Sequence, residues 1–421
     1  MNRFLKDFLW GAASAAYQIE GGVHEGGRGK SIWDTFSHTP GKIRNGDTGD
    51  RAADSYHRWR EDVQLIKDMG LGAYRFSIAW PRVAPNGDTA WNEAGFAYYD
   101  ALVDALLSEG IQPWVTLYHW DLPQALQDNG GWLSQGTVQA YVSYAAKMAD
   151  HFKNRVNHWF TFNEPQCFIG MGYGTGEHAP GLQLAEHELA ICWKNVRRAH
   201  DLAYDVLHGT DPENQVGLAS TGTVCYPVSE EPVNIEAARQ LTFDMPEGAA
   251  SFSHTLALEH NRHLDFIGLN LYHGAPARMG ENGPEAVPFP TGFPRTAMGW
   301  PVAEEALEWG VRFLYERYGL PIYVSENGLS CRDWIALDCG VHDPGRIDFL
   351  TRYLRALADG IEAGADVRGY FHWSLTDNFE WAEGYEQRFG LAYVDYTAGT
   401  RILKDSAEWY AAVSRTHGEL L

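Results

Sequence analysis

Along the whole chain, short runs of β-branched and aromatic residues alternate with longer stretches whose apolar positions recur every three to four residues. The short runs predict strands over 8–13, 73–78, 112–117, 157–162, 215–220, 264–269, 321–325 and 367–373. The helical period predicts helices over 54–69, 93–109, 137–153, 185–208, 303–318, 346–363 and 404–414, several of them closed by glycine, as at Gly70 and Gly110. A βαβα alternation places parallel strands inside and helices outside, and eight strands is the number that closes such a sheet on itself. The expected fold is therefore α/β, a single (β/α)8 TIM barrel over 1–421, since no linker, repeat or shift of composition marks a second domain. Segments rich in Gly, Pro, Asn and Asp over 21–50, 274–300 and 375–400 follow strand C-terminal ends, where this fold builds its active site.

Composition narrows the partners. Lys and Arg number 33 against 55 Asp and Glu, giving a net charge of −22, so nucleic acid and anionic membrane surfaces are excluded as partners and a small-molecule substrate is expected. No apolar run reaches the roughly 18 residues of a membrane helix. The five cysteines, an odd count in a long chain, point to free thiols and a reducing, cytoplasmic setting. The number of subunits is left open by the pattern.

Polar residues at strand C-terminal ends of a barrel face the substrate. Those positions carry Gln18, Arg75, His119, the pair Asn163 and Glu164, then Asn270, Tyr272, Glu326 and Trp373. Two of them are carboxylates on different strands, with Glu380 a third candidate. A single such glutamate is as often a capped or salt-bridged surface residue. Two facing one cavity can split a glycosidic bond, one protonating the leaving oxygen and the other attacking or activating water. Sugar rings also stack on aromatic faces, and Trp120, Trp300, Trp373 and Trp381 all fall at or beyond strand ends.

Other chemistries find no support. Gly29, Lys30 and Ser31 imitate the end of a phosphate-binding loop, but His24 stands where its first glycine is required. Gly172, Gly174 and Gly176 lack the dinucleotide spacing, and no His-Glu-x-x-His zinc helix occurs. Neither a metal nor another cofactor is expected, and His119 reads as a neutral donor to substrate or core.

Five long motifs stand out: the run from Phe8 to Gly21, Tyr118-His119-Trp120-Asp121-Leu122-Pro123, Thr161-Phe162-Asn163-Glu164-Pro165, Ser325-Glu326-Asn327-Gly328 and Asp377-Asn378-Phe379-Glu380-Trp381. In these motifs the chain resembles glycoside hydrolase family 1, the β-glucosidase family. The resemblance implies that the signal-peptide-like stretch from Phe8 to Tyr17 is the first barrel strand and is not cleaved. It also implies a retaining β-glycosidase acting on β-glucosides and short cello-oligosaccharides, with β-galactosides and β-fucosides as further substrates. Glu164 would be the acid/base and Glu326 the nucleophile, about 5–5.5 Å apart as in retaining pairs.

The same resemblance implies roles for the neighbours. Tyr272 and Arg75 would hold the nucleophile, Asn163 the sugar 2-hydroxyl, and Gln18, His119, Trp120, Glu380 and Trp381 the non-reducing sugar. Trp373 would be the floor, Asn270 a residue near the reaction centre, Trp300 the wall of the leaving-group site, and Phe389 a neighbour of the 6-position. An ionised Glu380 only accepts hydrogen bonds, so it is expected to take those of the 4- and 6-hydroxyls and to repel a 6-phosphate. That ranks a phospho-β-glycosidase below a glucosidase, and the presence of both glutamates argues against a catalytically silent binding protein. Gln166, Ser325, His372 and the Ala303-Glu304-Glu305 turn depart from the family pattern, which puts the leaving-group preference in question.

Overall fold

A computed structural model describes residues 3–244, 252–259 and 263–421. Eight parallel strands close into a barrel: β1 (Leu9–Ala13), β2 (Ala73–Ser77), β3 (Gln112–Tyr118), β4 (His158–Asn163), β5 (Gln215–Thr221), β6 (Phe266–Asn270), β7 (Ile322–Asn327) and β8 (Val367–Trp373). Each pairs with its sequence neighbours, and β1 closes the ring by pairing with β8 from Leu9 opposite Gly369 to Ala13 opposite Trp373. The signal-like stretch thus supplies a barrel strand flanked on both sides. All eight expected strands form, with ends displaced by at most two residues.

Each strand is followed by a principal outer helix: α1 (Ser55–Met69), α2 (Glu93–Ser108), α3 (Gln135–His151), α4 (Glu186–Thr210), α5 (Pro232–Phe243), α6 (Glu305–Tyr318), α7 (Pro344–Glu362) and α8 (Asp405–Arg415). Seven were expected, and α5 was not. Its buried face consists of Ala237, Ala238, Thr242 and Phe243, too weakly apolar to stand out as a periodic stripe. Helix α1 stops where Gly70 takes a left-handed φ of 68°, a turn that costs a residue without Cβ nothing.

The barrel interior departs from the Val/Ile/Leu filling usual for buried strands. Trp114, Phe160, Phe266 and Phe371 fill it, offset by Ala13, Ala73 and Ala219. Trp114 meets Phe266 edge-on at 5.5 Å and Phe371 at 5.3 Å, so large rings from some strands occupy the space that alanines leave on others. Along β3 the period of two is visible: Trp114 and Thr116 point inward, while Val115 and Leu117 join the core beneath the helices. This aromatic plug closes the lower barrel and leaves the C-terminal ends of the strands open. No helix among the described residues is long and apolar enough to cross a membrane.

Candidate active site

A cavity of about 840 Å³ lies at the C-terminal ends of the strands. Glu164, immediately after β4, and Glu326, at the end of β7, both line it. Register shifts along β7 after Val324 bend that strand as it delivers Glu326. Gly328 follows two residues on, where a Cβ would come within 1.9 Å of the Trp373 carbonyl oxygen, so only glycine lets the β7 and β8 ends approach so closely.

The two carboxyls have different neighbours. Arg75, buried inside β2, donates from Nη1 to Glu326 Oε1 at 2.7 Å, and the Tyr272 hydroxyl donates to Oε2 at 2.7 Å. Glu164 receives no cation: Asn270 Nδ2 donates to Oε1 at 2.8 Å and the Cys167 thiol to Oε2 at 2.9 Å. Arg75 Nη2 also donates to Asn163 Oδ1 at 2.6 Å, and Asn270 Nδ2 donates to the same oxygen at 3.0 Å. One hydrogen-bonded chain therefore runs from Glu326 through Arg75, Asn163 and Asn270 to Glu164.

Burial pushes Glu164 up to about 7, with the negative charge of Glu326 adding to the effect. Burial raises Glu326 as well, but the Arg75 charge and the Tyr272 and Arg75 hydrogen bonds oppose it. The guanidinium beside Glu326 therefore makes it the first of the two to ionise, and Glu164 the one to keep its proton.

Asn163 is fixed in orientation because its oxygen accepts from both Arg75 and Asn270. Its Nδ2, at 3.1 Å from His119 Nε2, must then donate, which places the His119 proton on Nδ1. Burial, then the Arg75 charge, hold His119 well below the usual imidazole range, so the ring is neutral as expected. Trp120, Glu164 and Trp381 adopt left-handed backbones with φ of 77°, 45° and 49°. Such conformations cost of order 1–3 kcal/mol each and persist where surrounding structure holds them.

Gln18 is fully buried, and its Nε2 donates to Asn378 Oδ1, the Phe379 carbonyl and Glu380 Oε2 at 3.1, 3.0 and 3.2 Å. The segment bearing Glu380, Trp381 and Phe389 is tied down from below by buried ion pairs. Lys404 Nζ lies 2.6 Å from Asp333 and 2.7 Å from Asp377, and Arg388 holds the other Asp377 oxygen at 2.6 Å. Trp381 packs on Trp120 at 4.5 Å and Trp373 stacks on His119 at 5.8 Å, while Trp300 and Phe389 form a second aromatic side against Tyr272. Arg75, Asn270 and Gln18 stand behind the wall, each hydrogen-bonded to a glutamate that lines the cavity.

Glu380 is a less ready anion than an ordinary glutamate: burial first, then the charges of Glu326 and Glu164, push it up to about 8. Folding gathers three carboxyls around one guanidinium already engaged by Glu326, and that crowding is invisible in any single motif. Among the lining residues Lys42 is the sole lysine or arginine, alongside Glu177, Glu380 and Glu383, which leaves a phosphate without a free cationic cradle.

The positions that depart from the family pattern support walls instead of lining the cavity. Gln166 Nε2 donates to Ser220 Oγ and to the Ser253 carbonyl, each at 3.1 Å, and Ser325 Oγ donates to Asn270 Oδ1 at 2.6 Å. His372 is buried with Nε2 3.2 Å from the Phe389 carbonyl and is pushed down to about 3, chiefly by burial. Among the cavity residues that escaped the sequence reading are Cys167, Met171 and His178, the last packed against Trp33 and Trp120. Cys167 follows Glu164 by three residues, a spacing that carried a signal. Met171 sits in the short helical segment Phe168–Thr175 and His178 in the loop after it, and neither position carried one. All five cysteines are free thiols.

Comparison with known proteins identifies the family. The chain matches the model of glycosyl hydrolase family 1 over residues 1–257 and 254–419. It is 39% identical to beta-glucosidase A of Thermotoga maritima, with 99% of each chain covered, and 40% identical to a bifunctional beta-D-glucosidase/beta-D-fucosidase of Bifidobacterium breve, with 98% of each covered. A solved family 1 β-glucosidase from Thermotoga maritima superposes with a TM-score of 0.89 at 38% identity, covering 99% of both chains, and a complex described as that organism's beta-glucosidase with deoxynojirimycin superposes at 0.88.

Proposed function

Because the chain belongs to glycosyl hydrolase family 1 and is therefore a glycosidase, we propose that its barrel is one catalytic domain of a retaining β-glucosidase that releases terminal non-reducing β-D-glucosyl residues. The observation that carries this reading is the asymmetry of the carboxyl pair: Glu326 is held by a cation and a phenol, Glu164 by uncharged donors only. A nucleophile must be ionised, whereas an acid must arrive protonated.

In the first step the Glu326 carboxylate attacks the anomeric carbon from the face opposite the leaving group. Glu164 gives its proton to the departing glycosidic oxygen, and a covalent glycosyl ester forms on Glu326. In the second step ionised Glu164 takes a proton from water as that water attacks the same carbon, and Glu326 leaves as carboxylate. Arg75 and Tyr272 stabilise the carboxylate before and after the ester exists. Asn163, pinned by Arg75 and Asn270, offers Nδ2 toward the 2-hydroxyl. His119, Trp120, Glu380 and Trp381 hold the outer hydroxyls, with Gln18 fixing Glu380 from behind, Trp373 floors the sugar, Phe389 borders its 6-position, and Trp300 walls the leaving group.

β-Fucosides are included in the proposed range, supported by the bifunctional relative, and β-galactosides on the sequence resemblance alone. The relatives named 1,4-beta-D-glucan glucohydrolase support cello-oligosaccharides. The free thiols suit a reducing, cytoplasmic setting.

A panel of aryl β-glycosides, with and without a 6-phosphate, tests the assignment. The glucoside is expected to be turned over far faster than its 6-phosphate, and Glu380→Ser should lower glucoside kcat/KM by roughly two to three orders of magnitude while narrowing that gap. Preference of the wild type for the 6-phosphate, or unchanged glucoside kinetics in Glu380→Ser, would remove Gln18, His119 and Glu380 from the glycone site.

A further inference from the structure

The acid/base assigned above has to be neutral when the glycosidic bond breaks and anionic when water attacks, so its neighbours must suit both states. Two strong donors, or one cation, would fix it as a carboxylate, as Arg75 and Tyr272 do for Glu326. We infer that Cys167 is a positioning residue for the acid/base: its thiol, the weaker of the two uncharged donors on Glu164, holds Oε2 in a way that suits both proton states. The inference rests on the assignment of Glu164 as the acid/base.

The local fold aims this thiol. Glu164 turns the chain with its left-handed backbone, Pro165 starts a single helical turn, and the Cys167 amide donates to the Glu164 carbonyl at 2.9 Å. Gln166 clamps the turn from outside through Ser220 and Ser253, so the Cys167 side chain comes back onto the Glu164 carboxyl, 2.9 Å from Oε2. Cys167 is buried and lines the cavity. Burial first, then the charge of Glu164, hold the thiol well above its ordinary range, so it stays S–H throughout. A thiol is a weak donor and a weak acceptor: it can donate to the carboxylate and tolerate the protonated acid. The other titratable groups facing Glu164 are Glu326 on β7, Arg75 on β2, Tyr272 after β6 and Glu380 after β8. None of them is altered by a change at residue 167.

The pH dependence of kcat/KM on an aryl β-glucoside with a poor leaving group tests the inference. In the wild type the alkaline limb should fall near the value of about 7 to which Glu164 is pushed. Cys167→Ser, a stronger donor that favours the carboxylate, should move that limb down by roughly half a pH unit, and Cys167→Ala, with no donor, should move it up by a similar amount. A merely structural role would lower the rate at every pH and leave the limb in place. Unmoved limbs in both variants, or shifts in the same direction, would overturn the inference. Glu164→Ala separates the two levels. If it abolishes the alkaline limb while the Cys167 variants leave theirs unmoved, only the role of Cys167 fails. If the limb survives in Glu164→Ala, the acid/base assignment falls and this inference with it.

Discussion

Glu326→Ala is expected to lower kcat on aryl β-glucosides by roughly five to six orders of magnitude, the scale on which removal of a nucleophile is felt. The variant loses the carboxylate proposed to form the glycosyl ester and leaves the Arg75 guanidinium buried without its partner. That uncompensated charge costs a few kcal/mol of stability, so Glu326→Gln, which keeps an oxygen toward Arg75, is the companion variant and should be equally inactive but better folded. Stereochemistry adds a sharper reading. Azide supplied to Glu326→Ala enters on the face the carboxylate vacated, opposite the leaving group, and should yield the α-glucosyl azide from an activated β-glucoside. Wild-type-like turnover in a folded Glu326 variant would remove it from the mechanism.

Glu164→Ala should divide substrates by their leaving groups. Protonation matters most for poor ones, so cellobiose turnover is expected to fall by about three to four orders of magnitude, while the first step on a dinitrophenyl β-glucoside should change little. The glycosyl ester on Glu326 then accumulates, because no base activates water. Azide needs no base: it should restore turnover and give the β-glucosyl azide, the opposite anomer from the Glu326 variant. Equal losses on both substrates, or the same azide anomer from both variants, would contradict the assigned roles. Burst kinetics with the dinitrophenyl glucoside followed by chromatography of the azide products reads all of these outcomes.

The barrel was legible because its signals are local and repeated. Strands such as Gln215–Thr221 and Phe266–Asn270 are short apolar runs bounded by turn residues, and each is followed by a change of period. Helix α5 was not legible because Ala237, Ala238 and Thr242 bury little apolar surface and imprint no stripe. The aromatic filling around Trp114 also escaped, since only closure of the barrel reveals which of the inward residues meet. Glu164 and Glu326 could be read as candidates because both sit where a strand becomes a loop, and their roles came with the resemblance. What separates them in physical terms, a guanidinium from β2 on one and an amide and thiol on the other, arises from residues 75, 167 and 270, far apart in sequence. The upward push on Glu380 belongs to the same class of property: it depends on how deeply the fold buries that carboxyl and on how many others it brings beside it.

The central claim is double displacement through Glu326, and the anomer released first tests it most directly. Proton NMR of the early hydrolysis of an aryl β-glucoside, recorded before mutarotation mixes the products, should show β-glucose appearing first and the α-anomer following only at the rate of spontaneous equilibration. α-Glucose as the first product would mean that water attacks in a single inverting step, and it would contradict the role of Glu326 as nucleophile.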